Sequence, residues 1–289
     1  SVPGLTVVGD VNGSHKNLDN GSGAIVGGNV NSGFNLNGGT QTVLVGGAIQ
    51  NTNVNQNTVN SNLGQTNPAF VQDLQQQKSL MQTSMTGLSH DLSTQAANSA
   101  LTISGNKGTF NAQPAAANPG DKSVAVFNIS ASDLDKIGEI SFNLNGADTA
   151  IVNVSGKNVV LNDNFLGNAT GLGENVIWNF HEAEKLSLST AWKGSVLAPF
   201  AEGTTGNYIE GSAVFGSLKQ DGEMHLGIYK GGYSVPSTPT NPGTSSGGST
   251  SGGSSSGSVP VPEPGVVGIL ALGLAGIAVW RRRAGKVKA

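Results

Sequence analysis

Short apolar runs that end in glycine recur in the N-terminal part of the chain. They lie at positions 7–12, 25–31 and 44–50. Val8 and Val26 are 18 residues apart, and Val26 and Val45 are 19 apart. One shared period of this length predicts a β-solenoid, in which each rung stacks about 4.8 Å above the previous one. A β-sandwich built from similar hairpins is the alternative.

The polar positions of these repeats are rich in asparagine. We expect the apolar side chains to point inward and the glycines to occupy corners that need a positive φ. Asparagine tolerates left-handed turns, and its amide can form ladders along a stack of strands. The candidate ladder and turn positions are Asn29, Asn31, Asn35, Asn37, Asn51, Asn53, Asn55 and Asn57.

A helical pattern interrupts the β-repeats at about 67–98. Asn67 is a candidate N-cap, and Pro68 suits the first helical position. An apolar stripe then follows at helical spacing, with members Phe70, Leu74, Met81, Met85, Leu88 and Leu92. The pattern predicts a helix that packs along the flank of the solenoid. A helix that binds a partner or a membrane surface is the alternative, although its polar face carries little positive charge.

Short β-runs return from position 101. A short helical turn is predicted at 131–137. The repeat reappears late in the chain, because Gly194-Ser195 and Gly211-Ser212 begin two similar runs about one period apart. The predicted strands are 124–129, 140–144, 150–154, 159–161, 176–180 and 186–188. The predicted fold is therefore mainly β, a β-solenoid (β-helix) with one inserted flanking α-helix.

The C-terminal end of the chain follows a different pattern. Pro262, Glu263 and Pro264 precede an uncharged apolar run at 265–280, and the arginines at 281–283 follow it. As a helix the run is about 24 Å long, somewhat less than the ~30 Å hydrocarbon core of a bilayer. We predict a C-terminal transmembrane helix at 265–280, with the arginine cluster as a stop-transfer signal on the cytoplasmic side. The stop-transfer residues are Arg281, Arg282 and Arg283.

These three parts, in this order, resemble the PEP-CTERM sorting signal of Gram-negative bacteria. The resemblance covers 260–289 and assigns the sorting motif to Pro262, Glu263 and Pro264. It implies that an exosortase-type processing enzyme cuts near the motif, so that the helix is a temporary tether. A permanent single-span anchor is the alternative. Residues 235–259 are a linker, stiffened by prolines at its start and then rich in Ser and Gly.

Composition narrows the range of partners. The chain has 43 Gly, no Cys and only 11% charged residues. Five of its 15 basic residues lie in the last nine positions, so the rest holds 10 basic residues against 18 acidic ones. This mildly acidic balance argues against nucleic acid as a partner. Because the chain begins at Ser1, we interpret it as a mature form from which a signal peptide has been removed.

Four segments together resemble the choice-of-anchor A domain of bacterial surface proteins. They are Val-Gly-Gly-Asn-Val at 26–30, the run at 175–180, Trp192 to Pro199, and the pair of segments at 210–211 and 223–225. We assign 1–234 to this domain. The resemblance implies an adhesive β-solenoid at the cell surface, and it supplies no catalytic residues.

The search for chemistry yields little. The histidines at 15, 90, 181 and 225 lack metal-ligand spacing, and no phosphate-binding loop or nucleophile elbow occurs. Asp133, Asp135 and Asp163 could contribute to a Ca²⁺ site, although solvated turn carboxylates are the simpler interpretation. We therefore predict no enzyme, no cofactor and no metal. A solenoid polysaccharide lyase would need a charge cluster on one face, and the charges are too scattered to nominate one.

The predicted function is that of an exported structural or adhesive protein. The tail would tether it at the outer face of the inner membrane, before transfer to the cell surface or to an extracellular polysaccharide matrix. Polysaccharide or other copies of the chain are the expected partners. A self-assembling surface-layer or filament subunit is the alternative, and a carbohydrate-active enzyme is a third class.

Overall fold

The protein is mainly β, and nearly all of its strands pair in parallel. The computed structural model describes residues 4–19, 21–114, 123–167, 169–225, 227 and 229–233. Twenty strands and four helices lie within these ranges. The predicted fold class is therefore confirmed at the level of a mainly β protein with few helices.

The first six strands form what we call the N-terminal stack. Their bounds are β1 Leu5–Val7, β2 Lys16–Leu18, β3 Ala24–Val26, β4 Phe34–Leu36, β5 Thr42–Val45 and β6 Thr58–Asn60. One parallel sheet has the order β1-β3-β5-β6, and β2 pairs with β4 in a second. Ile25 lies opposite Thr6 of the preceding repeat and Leu44 of the following one. The predicted spacing from Val26 to Val45 is the observed register, whereas Val26 pairs with Val7 and not with Val8, so the predicted alignment of the first repeat is wrong by one residue.

The paired glycines of the repeat have a different role from the predicted one. Gly27 and Gly46 do not adopt positive φ. A Cβ at Gly46 would instead lie 2.0 Å from the carbonyl oxygen of Gly27, and a Cβ at Gly27 would lie 2.2 Å from the carbonyl oxygen of Val8. Glycine is needed here because successive repeats bring their backbones together at this corner.

Two helices follow the stack, α1 Leu63–Thr66 and α2 Pro68–Ser93. Helix α2 begins with proline at N1 as predicted, although the side chain of Asn67 makes no capping hydrogen bond. The helix ends at Ser93 rather than near 98. The reason lies in the next segment, where the Asn98 backbone N–H donates to the Val126 carbonyl and its side chain accepts from the Val126 N–H.

The remaining strands and helices form the larger part of the domain. The strands are β7 Ala100–Ser104, β8 Lys107–Asn111, β9 Val124–Ser130, β10 Glu139–Asn143, β11 Thr149–Ser155, β12 Asn158–Leu161, β13 Asn164–Phe165, β14 Val176–Asn179, β15 Lys185–Leu188, β16 Trp192–Lys193, β17 Ser195–Thr205, β18 Ile209–Glu210, β19 Ala213–Gln220 and β20 Met224–His225. The helices are α3 Ala131–Leu134 and α4 Leu172–Asn175.

Three sheets curl around one aromatic-rich core. Their strand orders are β13-β10-β8-β7, β12-β15-β17-β14-β11-β9 with β19 on β17, and β16-β18-β20. Only the β7–β8 pair is antiparallel among the described strands. The side chains of Trp178 and Phe110 are fully buried, with ring centroids 5.5 Å apart in an edge-to-face arrangement. Apolar burial on this scale is the main stabilising contribution to the fold.

Helix α2 joins the two parts of the domain. Its first turns bury Phe70 and Leu74 against Ile25 of the N-terminal stack. Its last turns bury Met85 and Leu92 in a second cluster on β9, β11, β14 and β17. The stripe is interrupted at Met81, which is 44% exposed. The flanking position predicted for this helix is therefore the one observed.

No helix within the described ranges is long and apolar enough to span a membrane. The transmembrane helix predicted at 265–280, the linker at 235–259 and the Pro-Glu-Pro motif all lie outside the described residues. They remain predictions from the sequence.

Candidate functional site

A row of three asparagine side chains, of which Asn153 and Asn179 are buried and Asn128 is exposed, attaches helix α2 to the sheet. We call Asn128, Asn153 and Asn179 the inner amide ladder, since they occupy the same register on β9, β11 and β14. Asn179 Nδ2 donates to Asn153 Oδ1 (2.9 Å), and Asn153 Nδ2 donates to Asn128 Oδ1 (2.9 Å). The ladder also binds the helix. Ser89 Oγ donates to Asn179 Oδ1 (2.6 Å), and Asn153 Nδ2 donates to the Leu92 carbonyl (2.8 Å).

Two comparable rows of amides face outward on the N-terminal stack. We call them the outer amide rows, and their members are Asn12, Asn31 and Gln50 in one row and Asn17, Asn35 and Asn53 in the other. Asn31 Nδ2 donates to Asn12 Oδ1 (2.8 Å), and Asn35 Nδ2 donates to Asn17 Oδ1 (2.9 Å). All six side chains are exposed. The surface therefore offers regularly spaced, uncharged donors and acceptors.

Left-handed asparagines also occur in the stack, as the sequence predicted. Asn51 and Asn55 have φ values of 49° and 46°. Both lie in the turn before β6, where a non-glycine residue with positive φ is tolerated because the asparagine side chain is short and polar. These two positions shape the loop, while the ladder bonds come from other asparagines.

The late motif segments converge on one small sheet. Lys193, Glu210 and His225 share a register across β16, β18 and β20. Lys193 Nζ forms an ion pair with Glu210 and lies 4.8 Å from the Tyr208 ring centroid. The Tyr208 ring in turn stacks on the His225 ring, with 4.2 Å between the two ring centroids. Burial lowers the pKa of Lys193, but the interactions with Glu210 and Tyr208 together outweigh it, so that the pKa lies above its usual value.

One glycine of this region is required by close packing. Gly194 has a φ of 117°, and a Cβ there would lie 2.7 Å from the Trp178 ring. The same ring donates through Nε1 to the Lys193 carbonyl at 2.9 Å. The sheet that carries Lys193 is thus held directly on the aromatic core. The ion pair between Lys193 and Glu210 is a contact between two strands of the same chain, β16 and β18.

The candidate Ca²⁺ ligands do not assemble into one site. Asp133 pairs with Lys136 at 2.8 Å and forms a capping box with Ser130, the N-cap of α3, and these bonds lower the pKa of Asp133 to about 2. Asp163 is buried, and Asp135 is exposed. Within the described ranges no group of three or more His, Cys, Asp or Glu side chains could hold a metal ion.

Asp163 makes the protein less stable as the pH rises. It is 1% exposed and its Oδ1 has no hydrogen-bond partner among the described residues. Burial, with a smaller repulsion from Asp135, raises the pKa of Asp163 from 3.8 to about 6. Between these two values the unfolded chain has lost the proton that the folded protein retains, so stability falls as the pH rises. Above about pH 6 the full loss applies, about 3 kcal/mol.

We expect Asp163→Asn to remove this pH-dependent loss. The difference in unfolding free energy between variant and wild type should grow in favour of the variant from about pH 4 to about pH 6.5, by up to about 3 kcal/mol. Urea unfolding at several pH values measures it. Asp135→Asn is the matched control, since it removes an exposed carboxylate and should change the pH dependence much less. A constant difference across this range would contradict the prediction.

The last described residues return along the domain. We call 229–233 the C-terminal strap. Tyr229 is buried, and its hydroxyl lies 2.5 Å from Thr149 Oγ1. The Lys230 N–H donates to the Glu174 carbonyl at 2.8 Å, and its Nζ pairs with the Glu174 carboxylate at 2.5 Å. These contacts hold the last described residues on the domain.

The sequence-predicted site residues lie in different places. Pro262, Glu263, Pro264 and the arginines at 281–283 are outside the described residues. His15 contacts the Asn51 carbonyl at 3.0 Å on the surface of the stack. His225 lies in β20, the last described strand.

A comparison of the sequence with protein families assigns most of the chain. The sequence profile of the family described as "Putative Ice-binding-like adhesive domain" matches residues 2–226. The chain belongs to this family. The match is consistent with the choice-of-anchor A resemblance, although it does not carry that name. The description of this family names adhesion and does not name a catalytic activity.

A second profile, the PEP-CTERM protein-sorting motif, matches residues 260–283. The predicted sorting signal is therefore confirmed as a motif, and it implies export, membrane anchoring and exosortase-type processing in Gram-negative bacteria. No curated protein and no solved structure matches the chain significantly.

Sequence reasoning missed the inner amide ladder and the ion pair between Lys193 and Glu210. Both features correspond to a recognisable pattern in the sequence. The three ladder asparagines each follow an apolar strand residue at intervals of 25 and 26 positions. Lys193 and Glu210 each precede the glycine of the late repeat.

Proposed function

We propose that this protein is a secreted, surface-sorted adhesive or structural component of the cell envelope or of an extracellular polysaccharide matrix, and that it acts without catalysis. One observation carries the proposal. A chain that matches an adhesive-domain family over 2–226 also matches a sorting motif over 260–283. The same molecule therefore combines a domain for attachment with a signal for delivery to the outside of the cell.

The architecture we propose is a β-solenoid on a tether. Parallel pairing in step with the sequence repeat of the N-terminal stack supports the solenoid. The helix at 265–280 would hold the protein at the outer face of the inner membrane, and the linker at 235–259 would space the domain from it. An exosortase-type enzyme would then cut near Pro262-Glu263-Pro264 and pass the domain to the cell surface or matrix.

Retention on polysaccharide without turnover is the expected result for an adhesin. The full chain in detergent micelles would be incubated with extracellular polysaccharide purified from the producing bacterium, and the bound protein and the soluble reducing ends would be measured. We expect bound protein and no growth of reducing ends over hours. Steady release of oligosaccharides would identify an enzyme instead, and absence of retention would overturn the adhesive proposal.

Self-assembly into a layer or filament is the second candidate. The observation that favours it is the edge strand β6, which pairs with β5 on one side, while Thr58 and Asn60 are exposed. An open strand edge is a template for pairing with another chain. Polymers that grow with protein concentration in sedimentation experiments, without polysaccharide, would favour this candidate over adhesion.

A further inference from the structure

We propose that the outer amide rows are the surface that binds polysaccharide, and that the ligand is a neutral, hydroxyl-rich chain. This inference rests on the proposed adhesive function and names the site and the ligand class. The ligand would lie along the rows and exchange hydrogen bonds between its hydroxyl groups and successive amides.

The inner amide ladder shows what such a row can bind. It has the same chemistry as the outer rows, with amides in register on neighbouring parallel strands. Helix α2 lies over it, and the hydroxyl of Ser89 donates to Asn179 Oδ1, while Asn179 Nδ2 donates to the Ser89 carbonyl at 2.8 Å. A row of amides in this fold therefore accepts a hydroxyl and donates to an oxygen of an apposed chain. The outer rows present these groups to solvent.

The spacing of the rows favours a repetitive ligand. Neighbouring amides are one strand apart, about 4.8 Å along the stack. Each bond to a solvent-exposed amide contributes little by itself, because water competes for it. Several such bonds made by one long chain add up, since every further contact is intramolecular after the first. A polysaccharide supplies hydroxyls at regular intervals and satisfies this requirement.

Charge favours a neutral polysaccharide over an acidic one. None of the six side chains in the rows is ionisable. Outside the last nine positions the chain carries more acidic than basic residues, 18 against 10. A polyanionic ligand would therefore be repelled by the domain as a whole and would gain no ion pair at the rows.

The rows lie away from the last described residue of the domain. Phe70, in the first turns of α2, packs on the N-terminal stack, whereas Leu92, in the last turns, packs in the same cluster as Tyr233 of the strap. Along the helix, Phe70 and Leu92 are separated by about 33 Å. The last described residue, Tyr233, thus lies at the end of α2 that is remote from the stack and its rows.

A pair of double variants tests the assignment. Asn17→Ala/Asn35→Ala removes two amides of one outer row. Asn111→Ala/Asn143→Ala is the matched control, because it removes a second surface ladder, in which Asn143 Nδ2 donates to Asn111 Oδ1 at 2.7 Å. That ladder lies on β8 and β10, outside the stack. Asn31→Ala tests the other outer row, and thermal unfolding checks that each variant is folded.

The full chain in detergent would be bound to microcrystalline cellulose as the neutral probe and to alginate as the acidic probe. We expect wild type and control to be retained on cellulose and not on alginate, and the Asn17/Asn35 variant to bind cellulose about tenfold more weakly. Equal retention of all variants would overturn the assignment but leave adhesion standing. Retention on alginate alone would overturn the neutral ligand. Retention on neither probe would overturn the inference, whereas the proposed function fails only if the matrix polysaccharide is not retained either.

Discussion

Replacing Asn179 by leucine is expected to lower the free energy of unfolding by about 3–5 kcal/mol, because each unsatisfied buried polar group costs about 1–3 kcal/mol. Asn179 is fully buried and makes three side-chain hydrogen bonds, two with Ser89 and one with Asn153. Leucine fills a similar space but leaves these partner groups without hydrogen bonds. Urea unfolding of the full chain, followed by tryptophan fluorescence, measures the change.

The surface provides the control for this experiment. Asn143→Ala also breaks a bond between two asparagines in register, but the pair is exposed to water. We expect a loss of less than about 1 kcal/mol, since water replaces the missing bond. If both variants lost the same stability, the inner amide ladder would not be what holds α2 on the sheet. Faster proteolysis within α2 of Asn179→Leu alone would support the predicted role.

The inner ladder explains why a long polar helix stays on this domain. Leu88 and Leu92 bury apolar surface in the same contact. An apolar contact alone would permit several positions along the helix, because it is not directional. The bonds from Asn153 and Asn179 to the Leu92 and Ser89 carbonyls fix one position. Satisfied polar networks in a core specify a unique arrangement in this way.

Secondary structure was predictable where the apolar period was regular. Strands β11, β12 and β15 lie close to their predicted bounds, because each is a short apolar run between turn residues. The repeat that relates Val26 to Val45 also gave the correct register. In these stretches the apolar residues that mark a strand in the sequence are also the residues that pair with the neighbouring strand.

Contacts across unequal repeats were not predictable in the same way. Glu139 pairs with Asn164, whereas Trp192 pairs with Ile209 across a much shorter interval of the chain. Loops of different length separate the strands, so that apolar pattern alone cannot say which residues meet. The C-terminal strap shows the same limit, since Tyr229 contacts Thr149, which is remote from it in the sequence. Only the folded chain reveals such pairs.

Replacing Pro262, Glu263 and Pro264 by alanine is expected to leave the protein full-length in the membrane fraction. The sorting profile matches 260–283, and processing by an exosortase-type enzyme would need the motif. Wild-type protein recovered from cells should lack the residues beyond this region, whereas the variant should retain them. Intact mass spectrometry of both proteins measures this difference. We expect nearly complete processing of the wild type and almost none of the variant.

The linker contains the matched control, because alanine at Pro236, Pro239 and Pro242 changes three prolines and spares the motif. This variant should be processed like wild type. A full-length wild-type mass in the membrane fraction would contradict the temporary tether and favour the permanent anchor. The domain would then remain within reach of the inner membrane, about 25–30 Å for a flexible linker of this length. Its polysaccharide ligand would have to be sought in the periplasm, since a domain so tethered cannot reach an extracellular matrix.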